Sequence, residues 1–107
     1  MNMKATTISI LLFFIIISLS TTNAAEYNGK NIDGITYDCT AYSYKTGNYY
    51  YLTVEFLGDE ATITFSHGGY ITLSLDDEDI GDPSSIDAYN YETGVNWELE
   101  VDGLDWF

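Results

Sequence analysis

The sequence predicts an all-β domain: a small antiparallel β-barrel, or a sandwich, of six to eight strands. Apolar and polar residues alternate with a period of two from Ile35 to Val101, which is typical of strands with one buried and one solvated face. Short turn motifs separate the alternating stretches, and no helical period follows the N-terminal segment. A barrel is favoured because closure removes sheet edges that a small domain could hardly cover.

Residues 1–25 predict a secretory signal peptide. MNMK is a short positive region, ISILLFFIIISLS is apolar, and TTNAA supplies small residues for cleavage after Ala24 or Ala25. The apolar run is shorter than the ~20 residues that a transmembrane helix needs, although an uncleaved anchor is the alternative. We therefore expect one domain, residues 26–107, that is secreted or periplasmic and has no membrane attachment after cleavage.

Five stretches of that domain alternate clearly, and the regular spacing suggests a sixth strand. Turn motifs fall at 46–48, 58–60, 67–69 and 92–94, so the strands are expected to form hairpins. Residues 26–34 are polar and are expected to be a loose lead-in. The expected inward set is Ile35, Tyr37, Cys39, Ala41, Leu52, Val54, Phe56, Ala61, Ile63, Phe65, Ile71, Leu73, Leu75, Val95, Trp97, Leu99 and Val101.

Most tyrosines fall on the opposite, outward face of the same strands. Tyrosine favours strands, so they could pack across strands on a solvated face, but it is also common at binding hot spots. We expect a recognition surface. The outward tyrosines are Tyr42, Tyr44, Tyr49, Tyr51, Tyr70, Tyr89 and Tyr91.

The charge of the domain restricts its partners. Residues 26–107 hold all 17 acidic residues and two lysines, a formal net charge of −15. Such a domain repels nucleic acid and anionic membrane, and it attracts basic proteins. The alternative is acidity that serves solubility alone.

Catalysis and cofactors have little support in the sequence. The one histidine, His67, sits in a Gly-rich turn, and no nucleophile–base arrangement is evident. We therefore predict a protein that is not an enzyme and has no cofactor. Cys39 is the only cysteine, so no intramolecular disulfide can form, and we expect a buried thiol in a monomer.

The segment 76–89, DDEDIGDPSSIDAY, is the most distinctive stretch. It fails as an EF-hand because Ile80 occupies a ligand position and Asp87 replaces the bidentate glutamate, so no metal site is predicted. GGYITL, followed by acidic residues and SSI, resembles a βγ-crystallin calcium motif. The alternative function is a βγ-crystallin-like calcium-binding module or a carbohydrate-binding module, which would use the acidic loop or the exposed tyrosine face.

Three pieces in order resemble the bacterial C-type lysozyme inhibitors, the periplasmic and membrane-bound kinds. The first piece is Tyr37-Asp38-Cys39 followed by Leu52-Thr53-Val54, and the second is the hairpin ATITF…GGYITL. In the third piece, Ser85 and Tyr89 match the second Ser and the Tyr of the family's loop S-x-S-G-x-x-Y, and Trp97 matches the Trp of its W-x-K-G strand. The chain departs from that pattern at Pro83, Ile86 and Leu99, and it lacks the C-terminal cysteine of the family.

This resemblance implies an eight-stranded antiparallel barrel that inserts the loop into the cleft of a lysozyme. The expected partner is then a basic protein such as a C-type lysozyme, and the inserted segment is 76–89. The expected partner-binding residues are Ser84, Ser85, Tyr89, Asp82 and Asp87.

Overall fold

A computed structural model describes residues 23–104, so the predicted signal peptide lies almost wholly outside the described residues. Nine β-strands and no α-helix are found within this range. No helix in the same range is long and apolar enough to cross a membrane. The strands are β1 Glu26–Tyr27, β2 Lys30–Asn31, β3 Thr36–Ser43, β4 Tyr49–Leu57, β5 Glu60–Phe65, β6 Tyr70–Leu75, β7 Asp79–Ile80, β8 Ile86–Asn90 and β9 Val95–Val101.

Six of these strands close into an antiparallel barrel, which confirms the predicted fold class. The order around the barrel is β3-β4-β5-β6-β8-β9, and β9 pairs back onto β3. Cys39 on β3 has Leu52 as its partner on one side and Val101 on the other. Each barrel strand therefore has a hydrogen-bonded neighbour on both sides, so the six-stranded sheet has no open edge.

The barrel interior is filled by the alternating apolar side chains. Phe56, Ile63, Leu73 and Leu99 are fully buried, and burial of each such side chain stabilises the fold by about 1.5–3 kcal/mol. The predicted inward set is confirmed with one exception. Ile35 is 42% exposed, because it precedes the first residue of β3 and follows Gly34, whose positive φ turns the chain.

The segment 76–89, which the resemblance implies is one inserted loop, is not a continuous loop, so the expectation of a single loop was wrong. β7 lies inside it and β8 begins at Ile86. Ile86 and Ala88 point inward and Asp87 is exposed, so the period of two continues through the end of this acidic stretch. The connection that remains between β6 and β8 is residues 76–85.

The expectation of a loose lead-in at 26–34 was also wrong. β1 pairs antiparallel with β2 and parallel with β7, which makes a three-stranded sheet beside the barrel. Ile32 is fully buried. The β1–β2 turn is Asn28-Gly29, and both residues have positive φ, as a two-residue hairpin of type I′ requires.

Candidate functional site

One side of the barrel carries a row of outward side chains across four adjacent strands. Tyr49 on β4 is the register partner of Tyr42 on β3, Tyr42 is the partner of Glu98 on β9, and Glu98 is the partner of Asp87 on β8. Residues paired in this way lie about 5 Å apart at their Cβ atoms. The row therefore places two tyrosines beside two carboxylates on one wall.

Tyrosine rings extend this row on both sides. The ring of Tyr42 lies 4.9 Å from that of Tyr44 and 4.8 Å from that of Tyr49, between centroids. Tyr89 and Tyr91 form a second pair at 4.7 Å. The predicted outward orientation is confirmed for five of the seven tyrosines, which are more than half exposed: Tyr44, Tyr49, Tyr51, Tyr70 and Tyr91. Tyr42 and Tyr89 alternate outward on their strands but are partly buried. The tyrosine–acid surface is hereafter Tyr42, Tyr44, Tyr49, Tyr89, Tyr91, Asp87 and Glu98.

An open groove of about 400 Å³ runs through this surface. Tyr44 and Tyr89 line it together with Asn96 and the carboxylates of Asp76 and Asp87. A smaller groove of about 160 Å³ adjoins it, and Asp76 and Asp87 line both grooves. The remaining acidic residues of the smaller groove come from the β6–β8 connection: Asp77, Asp79 and Asp82.

The electrostatics of this surface are strongly negative. Asp87 and Glu98 are like charges placed directly opposite each other, an arrangement that destabilises a strand pair. The pKa of Tyr44 is raised, first because Glu98 is nearby, then by partial desolvation and by Asp87. Of the two lysines of the described residues, Lys30 lies on β2, and Lys45 lies in the β3–β4 turn, next to Tyr44 in the chain.

The five predicted partner-binding residues fall into two groups. Asp82 and Ser84 form a local turn, in which the Ser84 N–H and hydroxyl donate to Asp82 Oδ1 at 3.0 and 2.7 Å. The Ser84 hydroxyl, and then its N–H, lower the pKa of Asp82. Of the other three residues, Asp87 and Tyr89 lie on β8 and belong to the tyrosine–acid surface, and Ser85 lies next to it, just before β8.

Ser85 is oriented toward the barrel wall. Its hydroxyl donates to Glu98 Oε2 at 2.8 Å, so it holds one end of the β6–β8 connection against β9. This bond satisfies one Glu98 oxygen but adds no positive charge. The repulsion between Glu98 and Asp87 therefore remains available for a cation to relieve.

Sequence reasoning did not select Glu98, Asp76 or Asn96 as site residues. Glu98 alternates outward in the stretch VNWELEV, which the sequence does show. Its pairing with Asp87 depends on the register between β8 and β9, and β8 was not recognised as a strand. The acidic start of the 76–89 segment concealed the alternation that begins at Ile86.

Other reactive residues of the described range lie apart from this surface. His67 follows β5 in a turn, with its ring 6.4 Å from that of Phe65. Cys39 is a buried free thiol on β3, as predicted. Within residues 23–104, no group of three or more His, Cys, Asp or Glu side chains is arranged to hold a metal ion.

Comparison with known proteins gives no relative. The chain matches no protein-family model, no curated protein and no solved structure.

Proposed function

We propose that this domain is a secreted, non-enzymatic binding protein that holds a basic protein on its tyrosine–acid surface. The proposed partner is a basic, lysozyme-like glycoside hydrolase, which binding would inhibit. The choice of hydrolase rests on the resemblance of Tyr37-Asp38-Cys39, Ser85, Tyr89 and Trp97 to the lysozyme inhibitors. The choice of a basic partner rests on the geometry and charge of the surface.

The observation that carries this proposal is the facing pair Asp87 and Glu98, with tyrosine rings on both sides. A lysine or arginine of a partner placed between the two carboxylates would relieve their repulsion and form charge-assisted hydrogen bonds. The same cation could contact the face of Tyr42 or Tyr44. Neighbouring tyrosines would supply apolar contact area with little loss of conformational entropy.

The β6–β8 connection would extend the contact. Its carboxylates Asp77, Asp79 and Asp82 line the smaller groove next to Asp87. The connection is held in its middle by β7 pairing with β1, and at its C-terminal end by the Ser85–Glu98 hydrogen bond. A held segment loses less conformational entropy on binding than a free one, which suits an inhibitor.

The test measures binding kinetics and inhibition together. The secreted protein is passed over an immobilised basic C-type lysozyme at low salt and at 1 M salt, and its effect on cell-wall hydrolysis by that enzyme is recorded. We expect slower association at 1 M salt, where the Debye length is ~3 Å, and a dissociation rate that changes little. Replacing Asp87 by Asn should slow association, whereas Glu55→Gln should not.

Glu55 is the matched control because it is also exposed and outward on a barrel strand, but its register partners are Thr36 and Thr62. Binding that vanishes at moderate salt and responds equally to both variants would be nonspecific charge pairing. That result would refute the inhibitor proposal.

A carbohydrate is the second candidate ligand, and the groove between Tyr44 and Tyr89 favours it. Aromatic rings beside Asp76, Asp87 and Asn96 could stack on a sugar face and hydrogen-bond its hydroxyls. Titration with soluble cell-wall oligosaccharides separates the two candidates. Saturable sugar binding that Tyr89→Ala abolishes, without binding to the hydrolase, would favour the carbohydrate.

A further inference from the structure

Ala25 is built into the domain even though it lies within the predicted cleavage motif. It is fully buried, and its backbone N–H donates to Asp33 Oδ1 at 2.9 Å. Its carbonyl accepts the N–H of Ile32 at 2.9 Å. Asp33 Oδ1 also accepts the N–H of Gly58 at 3.0 Å, so one carboxylate joins the N-terminal sheet to the β4–β5 turn.

The two cleavage positions that the sequence allows have opposite structural consequences. A cut after Ala25 removes its buried methyl group and carbonyl, which leaves the N–H of Ile32 without this acceptor. A cut after Ala24 keeps the methyl group and the carbonyl of Ala25. Among the described residues, it removes only the half-buried Ala24 and the exposed Asn23. It also places the small residues Thr22 and Ala24 at the two positions where a signal peptide requires them.

We propose that the leader is removed between Ala24 and Ala25, and that the new α-ammonium of Ala25 forms an ion pair with Asp33. Water adds across the peptide bond: its oxygen goes to Ala24, which leaves as a carboxylate, and both of its hydrogens end on the nitrogen of Ala25, which becomes an ammonium. The existing hydrogen bond at 2.9 Å, in which only the Asp33 acceptor carries a charge, thereby becomes an ion pair in which donor and acceptor are both charged. The proposal rests on the secretion prediction and is independent of the binding partner.

The groups around this nitrogen favour a positive charge. The adjoining elements carry Glu26 on β1, Glu78 and Asp79 at β7 and Asp59 next to Gly58, against one lysine, Lys30 on β2. Glu26 and Asp79 are register partners. The ammonium therefore enters a region with an excess of carboxylates, which adds to its attraction to Asp33.

The first test identifies the cut. The full chain is expressed in a host that exports it, and the secreted protein is analysed by intact mass and N-terminal sequencing. We expect Ala25 as the first residue. A start at Glu26, a start elsewhere or a retained leader would overturn the proposal, while lysozyme binding measured on the same sample reports separately on the proposed function.

The second test identifies the ion pair by its pH dependence. An ordinary α-amino group has a pKa of about 7.7–8.0, and pairing with Asp33 raises it in the folded state. The added stability is then complete below that range and is lost as the pH rises through the folded pKa. The quantity to compare is the folding equilibrium constant of the secreted wild type divided by that of the Asp33→Asn variant. We expect this ratio to fall at least about tenfold between pH 7 and pH 10, which corresponds to a pKa shift of about one unit or more.

Asp33→Asn is an informative variant because the amide oxygen can still accept both backbone hydrogen bonds while the charge is lost. Other groups that titrate in this range are common to both proteins and cancel in the ratio. Glu55→Gln, which removes an exposed carboxylate that is not among those around Ala25, is the matched control and should follow the wild type. An Asp33→Asn variant with the wild-type pH dependence would refute the ion pair.

Discussion

Glu98 on β9 and Asp87 on β8 are register partners on the outer wall of the barrel. Two carboxylates in this position repel each other in the free protein. The arrangement is therefore unfavourable for folding and favourable for binding a cation.

Asp87→Asn should stabilise the free protein. Loss of the facing charge is expected to raise the free energy of unfolding by about 0.2–1 kcal/mol, as measured by urea denaturation at low salt. The gain should shrink at 1 M salt, where charges are screened. Glu55→Gln, whose partners are threonines, should change the free energy by less, and an equal gain in both variants would contradict this account.

Tyr44→Ala should weaken binding to the proposed basic partner mainly by faster dissociation. Tyr44 is 57% exposed and lines the larger groove, and tyrosines at the centre of an interface commonly contribute about 2 kcal/mol or more. We expect an affinity loss of at least about 30-fold, measured by surface plasmon resonance. Tyr70→Ala is the control because Tyr70 is also exposed but lies on β6, opposite Thr64. Equal losses would show that the tyrosine–acid surface is not the contact.

Ser84→Ala should raise the pKa of Asp82 toward its ordinary value. The Ser84 hydroxyl is the main cause of the lowered pKa of Asp82. Because the folded-state pKa is the lower one, this turn loses stability as the pH falls through the range where Asp82 is protonated. Carboxyl NMR titration measures the shift. Ser85→Ala is the control, since its hydroxyl bonds Glu98 instead. An unchanged Asp82 titration in Ser84→Ala would contradict the hydrogen-bond assignment.

Cys39 should be nearly inert in the native protein. Burial is the main cause that raises the pKa of its thiol to about 12, whereas an unfolded cysteine has a pKa of about 8.5. At pH 8, labelling by a thiol reagent should be at least ~100-fold slower than in denaturant. Because the folded pKa is the higher one, stability should fall as the pH rises above about 8.5. Rapid native labelling, or a covalent dimer on a non-reducing gel, would count against burial.

Ile32→Ala should destabilise the domain by about 2–5 kcal/mol. Ile32 is fully buried beside the N-terminal sheet, so truncation leaves a cavity. Ile35→Ala is the natural control, because Ile35 is 42% exposed and its loss should cost under about 1 kcal/mol. Similar unfolding midpoints for the two variants would mean that the N-terminal sheet contributes little to stability.

Much of the fold follows from the sequence because one physical rule governs most of it. Strands with one buried face alternate apolar and polar residues, and Val54, Phe56, Ile63 and Leu99 are buried as that alternation predicts. The rule cannot detect two-residue strands such as β1 and β7, which are too short to show a period. The Asn28-Gly29 dipeptide was a usable hairpin signal, and it was overlooked within a polar stretch.

The candidate site was predictable only in part. The outward tyrosines follow from the strand period. Asp87 and Tyr89, two of the predicted partner-binding residues, belong to the tyrosine–acid surface, and Ser85 lies next to it. The facing of Asp87 and Glu98 depends on which strands are neighbours and in which register. Such pairing is set by the whole barrel, since a shift of one residue would turn every side chain to the other face.

The pairing of β3 with β9 has a consequence for how the chain matures. These are the first and last strands of the barrel. In a chain that emerges N-terminus first, one edge of β3 therefore stays unpaired until β9 has emerged and can pair with it. Long-range pairing of this kind slows folding, and an open edge invites pairing with other chains. Truncation before Val95 would leave β3 and β8 as two permanent edges, and the shortened protein should aggregate on release.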